Sequence, residues 1–175
     1  MDTALFAEGL AEAGDPGAAA YIRTLHDVDP TEAEAATARL ALRLGQLPVA
    51  RDALVSAFVH YRTNPWPSQM SMSHALALAE ELTRAHAELV PLVFDALGEP
   101  FAVAAIEEPR RLVRLSVGSH SGTFYRCDEA IAPFEPHVPW RADVLQYRVR
   151  CYEQSRDRRA RAARADLEEF KRGAP

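Results

Sequence analysis

The chain has 175 residues, 48% of them apolar and 26% charged, with a formal net charge of −5. That length suits one ordinary domain or a short array of repeats, not two domains. Abundant alanine, sparse glycine and almost no apolar–polar alternation exclude a strand-based fold and predict an all-α protein.

No apolar run approaches the roughly 20 residues that span a bilayer, so no membrane association is expected. The acidic start MDTALFAEGLAEAGD is unlike a secretory leader, and a cytoplasmic protein is expected. The negative balance argues against nucleic acid as the main partner.

Helical patterning runs over residues 3–13, 16–27, 31–44, 48–63, 68–85, 87–97, 101–118, 122–133, 141–154 and 157–171, with a break or kink expected at Pro109. Asp15-Pro16 and Asp29-Pro30 each place a capping side chain before a proline suited to a first helical turn. Thr31 and Glu34 offer an alternative capping box for the second of these helices. In TEAEAATARLALRLGQLPVARDALVSAF, Gly45 stops one helix and Pro48 opens the next, which makes a tight turn. Ala38, Ala50 and Ala57 are small residues where the two helices approach, and Leu40, Leu44, Leu47, Leu54 and Phe58 fill the space around them.

This segment resembles the tetratricopeptide repeat, a helix-turn-helix unit of 34 residues. With Gly45 at the turn, the repeat's small second-helix positions fall on Ala50 and Ala57; its first-helix tryptophan and tyrosine are absent here. Similar turns are read at Gly14, followed by Ala18 and Ala19, and at Ser155, followed by Ala160. The resemblance implies one domain over residues 1–175, with about five antiparallel helix hairpins stacked as a short, irregular, right-handed solenoid. Trp66 and Trp140 each follow a proline and precede a new helix, and both indoles are expected to pack across joints between hairpins. The order of NPWPSQ, LVFDALGEPFAV, IAPFEPHVPWRAD and a final charged hairpin is also similar to the C-terminal helical-repeat region of some bacterial spermidine synthase-like proteins. That likeness implies an accessory helical domain or subunit of an enzyme. Its aminopropyl-transfer chemistry is not carried over, because no strand followed by a Gly-rich nucleotide-binding turn is present.

A search for chemistry yields little. The six histidines lie in no familiar metal-ligand spacing, so no metal or cofactor is expected. In SVGSHSGTFYR, Ser119, His120 and Ser121 read as a loop between helices and not as a nucleophile with its base. Cys127 and Cys151 could form one bridge, but each lies in its own helical pattern, and they are read as buried free thiols. Arg156, Arg158, Arg159, Arg161 and Arg164 are interleaved with or followed by acids and read as a solvated helix face.

A groove remains. Repeat arrays of this kind line their concave side with the first helix of each hairpin. On the helix from Thr31 that face carries Glu32, Ala35, Arg39, Leu42 and Arg43. Arg39 and Arg43 project together and can receive a partner's carboxylate, or else pair with acids of neighbouring helices. By the same register, His74 and Leu78 follow on the helix after Trp66, and Gln146 and Tyr152 on the helix after Trp140. These six residues are the expected contacts of a protein or peptide partner for a non-enzymatic adaptor or scaffold. Residues 1–37 carry eight acids (Asp2, Glu8, Glu12, Asp15, Asp27, Asp29, Glu32, Glu34) against Arg23, while the last hairpin is basic, which also permits head-to-tail self-association.

Overall fold

The computed structural model describes residues 3–120, 122 and 124–173. Among them are ten α-helices and no strand: α1 (Thr3–Glu12), α2 (Ala18–His26), α3 (Pro30–Arg43), α4 (Leu47–Tyr61), α5 (Gln69–Ala85), α6 (Val90–Ala96), α7 (Glu107–His120), α8 (Cys127–Ile131), α9 (Ala142–Gln154) and α10 (Ala160–Gly173). The all-α expectation holds, and each predicted helix has a counterpart. Pro109 does not kink α7. It stands in the first turn, where its missing N–H costs no hydrogen bond, because the helix begins at Glu107 after a short 3-10 turn at Ala104–Ile106.

Helix ends follow their local chemistry. Asp29 caps α3 by accepting from the N–H groups of Thr31 and Glu32, at 3.0 and 3.1 Å. Thr31 is therefore inside the helix, and Glu34 is free to accept from Ser56. Three turns are built alike. Gly14, Gly45 and Arg156 all have positive φ. At each, the N–H of that residue and of the next reach back to the preceding helix: Gly14 to Ala11 and Asp15 to Leu10, Gly45 to Leu42 and Gln46 to Ala41, Arg156 to Glu153 and Asp157 to Tyr152. This is the Schellman arrangement. The third turn is centred one residue beyond the expected Ser155.

The helix pair with the most extensive contact is the α3–α4 hairpin. Ala38, Ala50 and Ala57 are buried there with Leu54 and Phe58. Leu44, expected in the same contact, faces outward at the C-terminus of α3. Two apolar clusters share α3. One, rich in alanine, holds Ala7, Ala11, Ala18, Ala33 and Ala36 with Ile22, Leu25 and Leu40. The other is larger, takes Ala35 and Ala38 from α3, and runs through α4 to α10. Each odd-numbered helix packs against the next one, α1 on α3, α3 on α5, α5 on α7 and α7 on α9.

The short helix α6 is held at its C-terminus by arginines from two neighbours. Arg62 donates to the Ala96 carbonyl at 2.8 Å, Arg114 to that of Phe94 at 3.2 Å, and Arg110 to that of Leu97. Guanidiniums there satisfy orphan carbonyls and complement the negative end of the helix. Farther on, Arg148 binds Glu135 and Asp166, and the Tyr152 hydroxyl donates to Glu135 at 2.6 Å, tying α9 to α10.

Two expectations are overturned. Cys127 and Cys151 are joined in a disulfide; their separate helical patterns hid the packing of α8 against α9 that brings them together. Trp66 is 86% exposed and packs across no joint. Its loop is fixed instead by the backbone, with the Trp66 N–H donating to Asn64 and the Ser68 N–H to Glu32. Trp140 meets Phe170 edge-on at 6.0 Å yet remains half exposed.

Arg156→Gly should raise stability by about 1 kcal/mol, because a side chain in the left-handed region is strained and glycine is not. In thermal melts that corresponds to a midpoint roughly 3 °C higher. Reducing the Cys127–Cys151 bond, which spans 24 residues, should cost about 3 kcal/mol in denaturant titration. A Cys127→Ser, Cys151→Ser variant should match the reduced protein and not respond to reductant.

Candidate functional site

One cavity of about 440 Å³ opens between α1, α3 and α5. Leu5 and Gly9 of α1, Ala35 and Ala36 of α3, and Ala75 and Leu78 of α5 make it largely apolar, while Glu8, Glu12, Arg39 and His74 supply charge and polarity. Small residues on all three helices leave the space unfilled. Helical spacing explains the lining: Ser71, His74, Leu78 and Glu81 recur at three and four residues along α5, and Glu8 and Glu12 do so on α1.

The structure brings together Arg39, His74 and Leu78 of the expected site, with Arg43 beside them. The two arginines are already occupied. Arg39 meets Glu12 at 2.8 Å and Glu81 at 3.7 Å, and it donates to the His74 carbonyl at 2.8 Å. Arg43 meets Glu12 at 2.6 Å and also binds Glu81. The guanidiniums are thus clamped between α1 and α5, paired with acids of neighbouring helices, the second of the two readings that the sequence left open. His74 Nδ1 lies 3.1 Å from a Glu8 oxygen and links the same two helices across α3.

Electrostatics follow from these pairs. Burial raises the Glu12 carboxyl, but the Arg43 hydrogen bond and the charges of Arg39 and Arg43 outweigh it and hold the group below the usual carboxylate value. Burial pushes the Tyr61 phenol well above its ordinary value. The adjacent Ser71 hydroxyl opposes that shift without reaching hydrogen-bond geometry, so Tyr61 and Ser71 both keep buried hydroxyls without a partner.

Gln146 and Tyr152 do not join this site. Gln146 is exposed on α9, and Tyr152 is wholly buried. With seven residues per two turns, residue 152 falls off the face that residue 146 occupies. The residue next to Gln146, Tyr147, does line a second cavity of about 470 Å³ between α5, α7 and α9, with Glu80, Ser116, Arg141 and Asp143. The Tyr147 hydroxyl, too, is buried without a partner. Sequence reasoning passed over Glu8, Glu12, Ser71, Glu81 and Tyr147; the signal for Ser71 and Glu81 was their spacing on the α5 face already identified, and for Glu8 and Glu12 their four-residue spacing on α1.

Elsewhere, the Ser119 hydroxyl donates to the Ser116 carbonyl at 2.6 Å and His120 Nδ1 pairs with Thr83 at 2.9 Å. The two are engaged apart from each other, and Ser121 lies outside the described residues. Burial, with the nearby charge of Arg84, lowers the His120 imidazole. Among the described residues no group of three or more His, Cys, Asp or Glu is arranged to hold a metal ion, and no helix is long and apolar enough to cross a membrane. In the terminal hairpins, Glu8, Glu12, Asp29, Glu32 and Glu34 are taken up internally, as are Arg159 by Asp157 and Arg164 by Glu153. Compared with family models, curated proteins and solved structures, the chain matches none.

Because the Glu12 carboxyl is lowered, the stability it contributes is present above the ordinary carboxylate range and lost as pH falls through its folded value. Melts of wild type and Glu12→Gln should therefore differ at neutral pH and converge between about pH 5 and about pH 3.

Proposed function

We propose that the protein is an adaptor or scaffold that binds a peptide segment of another protein along the face made by its odd-numbered helices. One observation carries this reading: the cavity at α1, α3 and α5 and the cavity at α5, α7 and α9 both draw their linings from that row, just before α9 included. A tetratricopeptide-like, right-handed stack of hairpins accounts for such a row, since the first helix of each hairpin then faces the concave side. The serial packing of odd helices supports it. The sites of contact are Arg39, His74 and Leu78, with Arg43 holding the rim; Gln146 lies on the same row farther along.

The Cys127–Cys151 bond favours a compartment that leaves disulfides intact, against the cytoplasm suggested by the acidic N-terminus. Self-association through the chain's two ends is a weaker proposal than the sequence implied, because so many of the acids at the first end are engaged internally.

Gly9 gives the test. It lines the first cavity, and a Cβ built on it meets nothing within 4 Å, so a phenylalanine there fills the space without disturbing α1. Short peptides selected from a displayed random library on wild type should bind Gly9→Phe at least about tenfold more weakly, a loss of about 1.4 kcal/mol. Circular dichroism of the two proteins should coincide. Peptides that bind both proteins equally would remove the groove.

A further inference from the structure

The rim of the first cavity has a sense of charge opposite to the one its arginines suggest. Three carboxylates, Glu8, Glu12 and Glu81, stand against two guanidiniums, and their depths differ. The side chains of Glu12 and Glu81 are 54% and 40% exposed, those of Arg39 and Arg43 only 15% and 29%. Anything approaching from solvent meets oxygens first.

A carboxylate on a partner would have to displace Glu12 or Glu81 from charge-assisted bonds already made, and the displaced groups would be left beside it. A cation displaces nothing. It adds to the lone pairs left on the exposed oxygens of Glu12 and Glu81, all four of which already meet an arginine. The surrounding potential agrees, with eight acids and one arginine in residues 1–37. Below the rim the cavity is apolar, and Ser71 in its wall is 3% exposed with a hydroxyl that has no partner.

Building on the groove reading above, we propose that this cavity takes a peptide segment in which an apolar side chain enters between α1, α3 and α5 and a lysine or arginine close to it rests on Glu12 and Glu81. The apolar group supplies buried area. The cation sets direction and excludes acidic segments, because like charges at the rim repel.

The probes are three fluorescein-labelled, alanine-based helical peptides, identical except that a leucine is followed one turn later by lysine, glutamine or glutamate. Fluorescence polarisation with the full chain should place the lysine peptide tightest, about threefold over glutamine and about tenfold over glutamate. The preference for lysine should shrink in Glu12→Gln, Glu81→Gln and at high salt, and all binding should be lost in Gly9→Phe. Glutamate binding as well as or better than lysine, with loss in Gly9→Phe, would overturn the charge sense and leave the groove standing. None of the three binding, while library-selected peptides do, would overturn it as well. If no peptide of any kind depends on Gly9, the groove reading itself fails and takes this proposal with it.

Discussion

The close approach of α3 and α4 is the constraint on which the rest of the molecule is assembled. Ala38, Ala50 and Ala57 carry no more than a methyl group at the crossing, so the two backbones lie near enough for Leu54 and Phe58 to close the space on either side. That fixes the rotation of α3, and with it which of its residues face each way. Ala33, Ala36 and Leu40 turn to the N-terminal cluster, Ala35 and Ala38 to the main one. The same rotation sends Arg39 and Arg43 toward both α1 and α5. At the far end of α4 the Tyr61 carbonyl accepts from Ala102 and Arg62 reaches α6, so the placement of one hairpin is passed on to the next. A residue larger than alanine at any of the three positions would force the helices apart, and cores of this density answer such insertions with shifts that spread.

Much of the fold was legible because its signals are local. Asp29 caps where an aspartate before proline should, and Gly14 and Gly45 stop helices because only glycine enters the left-handed region without strain. The third such turn was placed one residue early, since Arg156 pays a local cost that tertiary packing offsets and composition does not advertise. Cys127 and Cys151 were misread for a related reason. Pairing of thiols depends on which helices become neighbours, and a short helix such as α8 carries too little pattern to say. Trp66 shows the converse: its sequence neighbours fit a joint, but the hydrogen bonds that hold the loop use its backbone and leave the indole outside.

The candidate site was half legible. Spacing alone aligned Ala35 with Arg39 and His74 with Leu78, and those residues do face one space. The sign of the rim was not legible. Two arginines four residues apart look the same in sequence whether they await a carboxylate or already hold one, and the acids that satisfy them come from α1 and α5, 31 and 38 residues away along the chain from Arg43. Tyr152 was lost to a small phase error, six residues from Gln146 being a step off the shared face.

The two indoles have a spectroscopic consequence. Trp66 and Trp140 are the only tryptophans in the chain, and both sit in water to a large degree. The Trp66 contribution to emission should therefore lie at long wavelength in the folded protein, much as in the unfolded chain, and unfolding should be read mainly through Trp140 as it leaves Phe170. Any blue shift on mixing with another molecule reports an indole becoming covered, and Trp66, clasped by two prolines on a loop that the backbone keeps in place, serves as a built-in dye for contact at the joint between α4 and α5.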